Sequence, residues 1–230
     1  MIKQVKYYAF FDVDGTLIKG TPMLDFLRYY YLSQHSNQKY IGYLKYYRFI
    51  SKIYAYKFFG INRRYLNSCY YRCFVNQSVD KLKRIGKNWF NENIQKKNNY
   101  NFKILNELIY HKNNGATIVL VTGSFFPCIE PFASQYDIKN ILMTKLEIIN
   151  SRITGSILLS PMIGDGKARA IMDFIKNDQV LLKDSYAYGD HVSDIPMLSM
   201  VGNPKVVRGD REMEQQAKNF NWEIINPGDI

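Results

Sequence analysis

Two carboxylates, Asp12 and Asp14, stand two residues apart in the segment FFDVDGTL (residues 10–17), directly after an apolar run that begins at Tyr7. Apolar runs of this length read as buried strands, and Gly15-Thr16 breaks the strand into a turn. Both carboxylates then sit at the C-terminal end of a strand, where open α/β sheets place their active sites. Two ionised carboxylates held that close repel each other, and the pair is tolerated when a divalent cation neutralises it or one member keeps a proton. Either condition is a condition for chemistry. Taken alone, the segment reads equally as a strand followed by an Asp-Gly hairpin turn.

Three further segments have the same character. VLVTGS (119–124) ends a strand at Thr122 and Gly123. A hydroxyl beside exposed backbone N–H groups at such a turn makes an anion cradle, and a routine turn before a helix is the plainer alternative. GDGKARAI (164–171) places Lys167 in the first turn of a helix, where a cation opposes the helix dipole. That is a weak reason to suspect a placed charge over a solvated lysine. YGDHVSDIPML (188–198) carries Asp190 and Asp194 after another strand. Carboxylates four apart there reach a hard cation such as Mg²⁺, directly or through water, or Asp194 simply caps a helix starting near Ile195. His191, alone among carboxylates, is not read as a ligand.

The elements that must position these groups follow from periodicity and punctuation. Residues 22–34, 39–59, 62–76 and 79–97 read as helices, with Asn62 and Ser78 as caps. From residue 103 helices and strands alternate: helix 103–113, strand 117–123, helix 127–136, a hairpin of LEII and RITGSIL joined by Asn150-Ser151, helix 166–177, strand 185–190, strand 205–208, a helix near 210–219 and strand 222–225. Alternating elements predict an α/β fold with a mostly parallel sheet covered by helices.

Composition divides the chain. Of its 230 residues, the stretch 20–100 holds 15 Lys or Arg against 3 Asp or Glu, and 13 of the 19 tyrosines. The remainder holds 16 basic and 17 acidic residues. The shift marks a basic helical unit inserted into a neutral domain, giving a core of 1–19 and 101–230 and an insert of 20–100. In helix 39–59, Lys45, Arg48 and Lys52 line one stripe. That stripe reads either as the solvated edge of a buried helix or as a surface for anionic groups, such as lipid headgroups or a phosphorylated polymer. A hydrophobic content of 47% supports a full core. No stretch of about 18 apolar residues marks a transmembrane helix, and Asp12 comes too early for a signal peptide. Three cysteines, Cys69, Cys73 and Cys128, point to a reducing cytosol. Cys69 and Cys73, one helical turn apart, read as packing before metal binding. The expected location is the cytoplasm, extended by the basic insert to the inner face of a membrane.

In order and spacing the four chemistry-bearing segments resemble the haloacid dehalogenase (HAD) superfamily of phosphohydrolases: FFDVDGTL its first motif, VTGS its second, Lys167 its third and GDHVSD its fourth. LEIINSRITGSI, GDGKARAI and SYAYGDHVSDIPMLSMVGNP resemble the subfamily that includes phosphoserine phosphatases. The resemblance implies a Rossmann-like parallel sheet with a helical cap, for which residues 20–100 are the candidate. It makes Asp12 the nucleophile that forms an aspartyl phosphate, and Asp14 the acid and base. Thr122, Gly123 and Lys167 would bind phosphate. Mg²⁺ would be held by Asp12, the Asp14 backbone carbonyl and Asp190, with Asp194 in support. The second aspartate favours phosphate esters over carbon–halogen bonds. Phosphoserine phosphatases carry a glutamate seven residues after that aspartate, and this chain has Thr21 there, which weighs against phosphoserine.

The expectation is therefore a Mg²⁺-dependent phosphomonoesterase whose partner is a phosphorylated small molecule or lipid, with peripheral contact to an anionic membrane. Phosphoserine, histidinol phosphate or another small metabolite is the alternative, as is transfer of the phosphoryl group to an acceptor other than water. A binding module that grips nucleic acid or a membrane through its basic insert, with a decayed catalytic core, ranks below these, because the set of six catalytic-type side chains is intact.

Overall fold

In the computed structural model, residues 7–159, 162–176 and 182–228 are described. The chain enters on β1 (Tyr8–Phe11), whose four side chains are all buried. It then leaves the sheet for four helices: α1 (Pro22–Gln34), α2 (Lys39–Phe58), α3 (Arg63–Arg72) and α4 (Val79–Trp89), the last continuing as a π turn over Phe90–Gln95. It returns through α5 (Phe102–Asn113), β2 (Thr117–Thr122), α6 (Phe126–Gln135) and β3 (Asn140–Met143). A hairpin of β4 (Leu146–Ile149) and β5 (Arg152–Ile157) follows, then α7 (Asp165–Ile175), β6 (Tyr186–Gly189), α8 (Ile195–Leu198), β7 (Asn203–Val207), α9 (Arg211–Asn219) and β8 (Glu223–Ile225).

Six strands form one sheet in the order β3-β2-β1-β6-β7-β8, and every neighbouring pair is parallel. Chain order reverses at β1, with β2 on one side and β6 on the other. That is the switch point at which open α/β sheets hold their ligands. Side chains alternate across a strand, so β1 feeds two cores. Tyr8 and Phe10 pack with residues of α7, α8 and α9, including Ile171, Met197 and Met213. Ala9 and Phe11 join the opposite core, which continues without a break through α5 and α6 into Phe26, Phe74 and Trp89 of the helical segment.

Two features fasten that helical segment. Helix α4 lies so close on α6 that a Cβ on Gly86 would stand 2.1 Å from the Pro127 carbonyl oxygen. Trp89, fully buried, donates from Nε1 to Asp25 Oδ2 at 2.9 Å. The β4–β5 hairpin also reaches it: the Asn76 N–H donates to the Ile153 carbonyl and the Val79 N–H to the Ser151 carbonyl. Its turn is the expected Asn150-Ser151, both with positive φ (49° and 59°), the combination a two-residue type I′ turn requires.

The helices stand where the pattern placed them, and Asn62 and Ser78 accept from the Tyr65 and Lys81 N–H groups as N-caps. Three departures have local causes. The expected helix 62–76 stops at Arg72, because Asn76 takes a left-handed conformation (φ 63°) to meet the hairpin. The expected helix 79–97 changes to a π turn after Trp89. Strand β3 was not anticipated: at the sheet edge its four residues are only half-buried, so NILM lacks both alternation and a full apolar run. The end of the expected helix 166–177 lies outside the described residues.

Candidate active site

The C-terminal ends of β1, β2 and β6 and the N-terminus of α7 converge on one pocket. Asp12 follows β1 and is held to β6 by its N–H, which donates to the Tyr188 carbonyl at 2.9 Å. Gly15, at φ +91°, turns the chain there, and a Cβ on it would fall 2.3 Å from Asp190 Oδ2. Only glycine satisfies both the dihedral and the approach. Thr16 donates from Oγ1 to Asp190 Oδ1 at 2.9 Å, tying the β1 and β6 loops together.

Lys167 comes from the first turn of α7 and is buried, as are Asp12 and Asp194. Its ammonium donates to Asp12 Oδ1 at 2.5 Å and to Asp194 Oδ1 at 2.7 Å. Asp194 is not spent on capping α8; its other oxygen accepts from the His191 N–H at 3.2 Å. The His191 side chain is engaged with Ser193. Thr122, at the end of β2, is buried and turns its hydroxyl to Asp14 Oδ2 at 3.2 Å while accepting the Ser124 N–H at 3.0 Å. It thus orients Asp14, and Gly123 lines the pocket.

One oxygen from each of Asp12, Asp190 and Asp194 lies within 4.8 Å of the other two. Asp14 brings a fourth carboxylate into the same pocket, and one buried ammonium, Lys167, stands against them. The imbalance registers in the acidities. Burial, reinforced by Asp12 and Asp194, pushes Asp190 up to about 8. Burial pushes Asp12 up to about 6 against the opposing pull of Lys167. Burial works to lower Lys167, but the two carboxylates it touches outweigh that effect and raise it, so it stays charged. A cluster of hard oxygen donors with surplus negative charge fits a hard divalent cation such as Mg²⁺.

Several positioning residues carried no local signal in the sequence. Asn101 donates from Nδ2 to the carbonyls of Gly15 and Thr16, at 2.7 and 2.8 Å, from 86 and 85 residues away. The Gly123 carbonyl accepts from Thr144 Oγ1 at 2.9 Å and from the Tyr71 hydroxyl. Thr16 was legible as a turn residue, not as a partner of Asp190.

Above the carboxylates the helical segment closes the pocket, a cavity of about 290 Å³. Met23 and Leu24 of α1, Phe49 and Ile53 of α2 and Leu66 of α3 give it an apolar wall, to which Asn67, Tyr70 and Lys57 add the polar groups. Thr21 lies in the same lining, and among the described residues the pocket's carboxylates all belong to the four aspartates below.

The fold is an open parallel α/β sheet, with a buried aspartate–lysine cluster at its switch point, where such sheets hold their ligands. The model of the haloacid dehalogenase-like hydrolase family matches residues 9–199, and the chain belongs to that family. A phosphoserine phosphatase of Mycobacterium tuberculosis is 26% identical over 225 residues, 94% of this chain and 69% of its own length. A probable phosphatase of the same organism is 29% identical over 116 residues, half of this chain and 40% of that protein. A histidinol-phosphatase of Neisseria meningitidis is 28% identical over 120 residues, 50% of this chain and 54% of its length. Among solved structures, a Bordetella pertussis protein of unknown function superposes with a TM-score of 0.85 at 18% identity, covering 98% of this chain and all of that one. A phospho-aspartyl intermediate analogue of phosphoserine phosphatase superposes with a TM-score of 0.65 at 14% identity, over 98% and 95% of the two chains. The structural likeness is one of fold.

Proposed function

We propose that the protein is a Mg²⁺-dependent phosphomonoester hydrolase working through an aspartyl phosphate on Asp12, with residues 20–100 as its cap. The observation that carries this reading is the buried Asp12–Lys167–Asp194 cluster beside Asp190 at the sheet's switch point.

Asp12 attacks phosphorus, and the bond from phosphorus to the alcohol oxygen breaks. Asp14, oriented by Thr122, gives its proton to the departing alkoxide. It then takes one from the water that attacks the aspartyl phosphate, which releases phosphate and restores Asp12. Lys167 and the Gly123 N–H stabilise charge on the transferring oxygens. Asp12, Asp190 and Asp194, with the Asp14 carbonyl, would hold the cation, which supplies charge neutralisation between an anionic nucleophile and an anionic ester when bound.

The apolar wall supports a bulky leaving group, including a lipid phosphate for which contact with an anionic membrane would be the source. A free ammonium on the substrate finds no carboxylate from the cap. The named relatives favour a second reading, a small-metabolite phosphatase for phosphoserine or histidinol phosphate.

The test is phosphate release from a panel of soluble and lipid phosphomonoesters, with Mg²⁺ and with chelator, beside Asp12→Asn. Mg²⁺-dependent release that disappears in Asp12→Asn is expected, with apolar esters ahead of phosphoserine. Release unaffected by Asp12→Asn would sink the mechanism, and phosphoserine at the head of the order would select the second reading.

A further inference from the structure

Helix α2 has two apolar faces, and among the described residues only one is packed against a partner. Gly42 and Phe49 are buried against the rest of the cap, with Tyr46, Ile50, Ile53 and Tyr56 packed beside them. On the opposite side Tyr40, Tyr43, Leu44, Tyr47, Tyr54 and Phe58 are exposed, from 42% at Tyr43 to 87% at Phe58. At about 100° per residue these six fall within roughly 60° of one line along the helix. Phe59, 74% exposed, extends the stripe past its end. Single exposed apolar residues need no explanation, but six large ones on one helix face do, even with Ser51 between Tyr47 and Tyr54.

Charge indicates what covers it. On the same projection Lys45, Arg48 and Lys52 run along one flank of the stripe, and Lys39 and Lys57 stand on the other. Between Phe26 and Val79 the sequence has nine basic residues and no acidic one. Lys45, Arg48 and Lys52 also share a shallow depression with Tyr31 and Phe49. An aromatic stripe between basic flanks suits a helix lying in the plane of an anionic lipid interface, with rings at headgroup depth and cations toward the phosphates. A second copy of the chain fits poorly, since two-fold pairing would set basic flank against basic flank.

We infer that the outer face of α2 docks the protein on anionic bilayers. This deepens the membrane contact named above but does not rest on catalysis. It also has a consequence for the site: Ile53 and Lys57, on the last turns of the same helix, line the pocket, so docking sets the pocket beside the bilayer.

The experiment is co-sedimentation of the full chain with vesicles of phosphatidylcholine, with and without about one quarter phosphatidylglycerol, at low and high salt. The variants are Tyr47→Ser/Phe58→Ser and Lys45→Gln/Lys52→Gln, and Asp12→Asn serves as a catalytically dead control. Anionic vesicles are expected to bind at least about tenfold more protein than neutral ones. Each double variant should lose most of that binding while keeping its circular dichroism, and Asp12→Asn should bind like the parent. Three results would overturn the inference: no preference for anionic vesicles, binding indifferent to Tyr47→Ser/Phe58→Ser, or a concentration-dependent dimer in sedimentation that the aromatic variant abolishes. A salt-dependent shift of DNA without vesicle binding would assign the face to nucleic acid instead.

Discussion

At the scale of single residues the site is an unbalanced charge cluster, and Lys167 is its hinge. Its ammonium touches two carboxylates, and all three side chains are largely buried at the floor of the pocket. Removing one partner of a buried ion pair costs about 3 kcal/mol or more, because the remaining charge is left uncompensated. Lys167→Gln is therefore expected to lower the thermal midpoint in chelator. The loss should shrink in Mg²⁺, which replaces the missing positive charge, while turnover stays down by about a hundredfold or more. A variant equally destabilised with and without Mg²⁺ would show that the cation does not enter this cluster. The acidities predict the proton balance. Without metal, Asp12 and Asp190 have folded-state values raised to about 6 and about 8. An acid whose value is raised by folding stabilises the fold below its unfolded value, and that stability is lost as pH rises through the folded value. Their contribution to metal-free stability thus falls from about pH 4 to about pH 8, and a bound cation must reverse the trend. Binding at pH 7 should release about one proton, mainly from Asp190, and affinity should climb with pH until about 8. Calorimetric titration of Mg²⁺ in two buffers of different ionisation enthalpy reads this directly; identical heats would contradict it.

At the scale of elements the helical segment depends on how closely α4 approaches α6. Gly86 permits the contact, since a Cβ there would be driven into the backbone of Pro127. Gly86→Ala normally helps an exposed helix, but here overpacking should win, at about 1–3 kcal/mol. Chemical denaturation beside Asn88→Ala, on the exposed side of α4, tests this, and a stabilised Gly86→Ala would show that the two helices part freely. The same scale shows what the sequence discloses. Asp12 and Asp14 stood out because two carboxylates fall together at a strand end, whereas Lys167, Asp190 and Asp194 had plainer local readings and were singled out only by the order of the four family-like motifs. The long helices were legible from periodicity, and Asn62 and Ser78 from capping. Strand β3 was not, because an edge strand needs only a partner, and pairing with β2 is a property of the assembled sheet. Asn101 and Thr144 escaped for the same reason: their partners are distant in sequence. His111 escaped too. It is buried between the hydroxyls of Tyr7 and Tyr188, at 3.0 and 2.8 Å, and burial lowers it to about 4. Nothing in IYHKNN marks it.

At the scale of the whole molecule, two fields of opposite sign are stacked. The core is near neutral overall but concentrates four carboxylates in the pocket, while residues 20–100 carry 15 basic against 3 acidic side chains, a net of +12. On the proposed reading, an anionic ester would approach a pocket roofed by this basic segment, and one of its cations, Lys57, stands in the lining itself. A surface of one sign beside a recessed site raises the encounter rate for ligands of opposite charge, and salt weakens it over a distance of about 10 Å at 0.1 M. The buried pairs, Lys167 with Asp12 and Asp194, are shielded from that salt. Salt should then separate the two kinetic constants. Raising ionic strength from about 0.02 to about 0.3 M is expected to lower kcat/KM severalfold for a dianionic soluble ester, with kcat changed less than about twofold. Lys45→Gln/Lys52→Gln should flatten the dependence without touching kcat, since neither residue lines the pocket. If both constants fell together, salt would be acting on the site or its cation, and the cap's charge would have no part in capture. If neither moved, the basic residues of the cap would have no part in capturing a soluble ester.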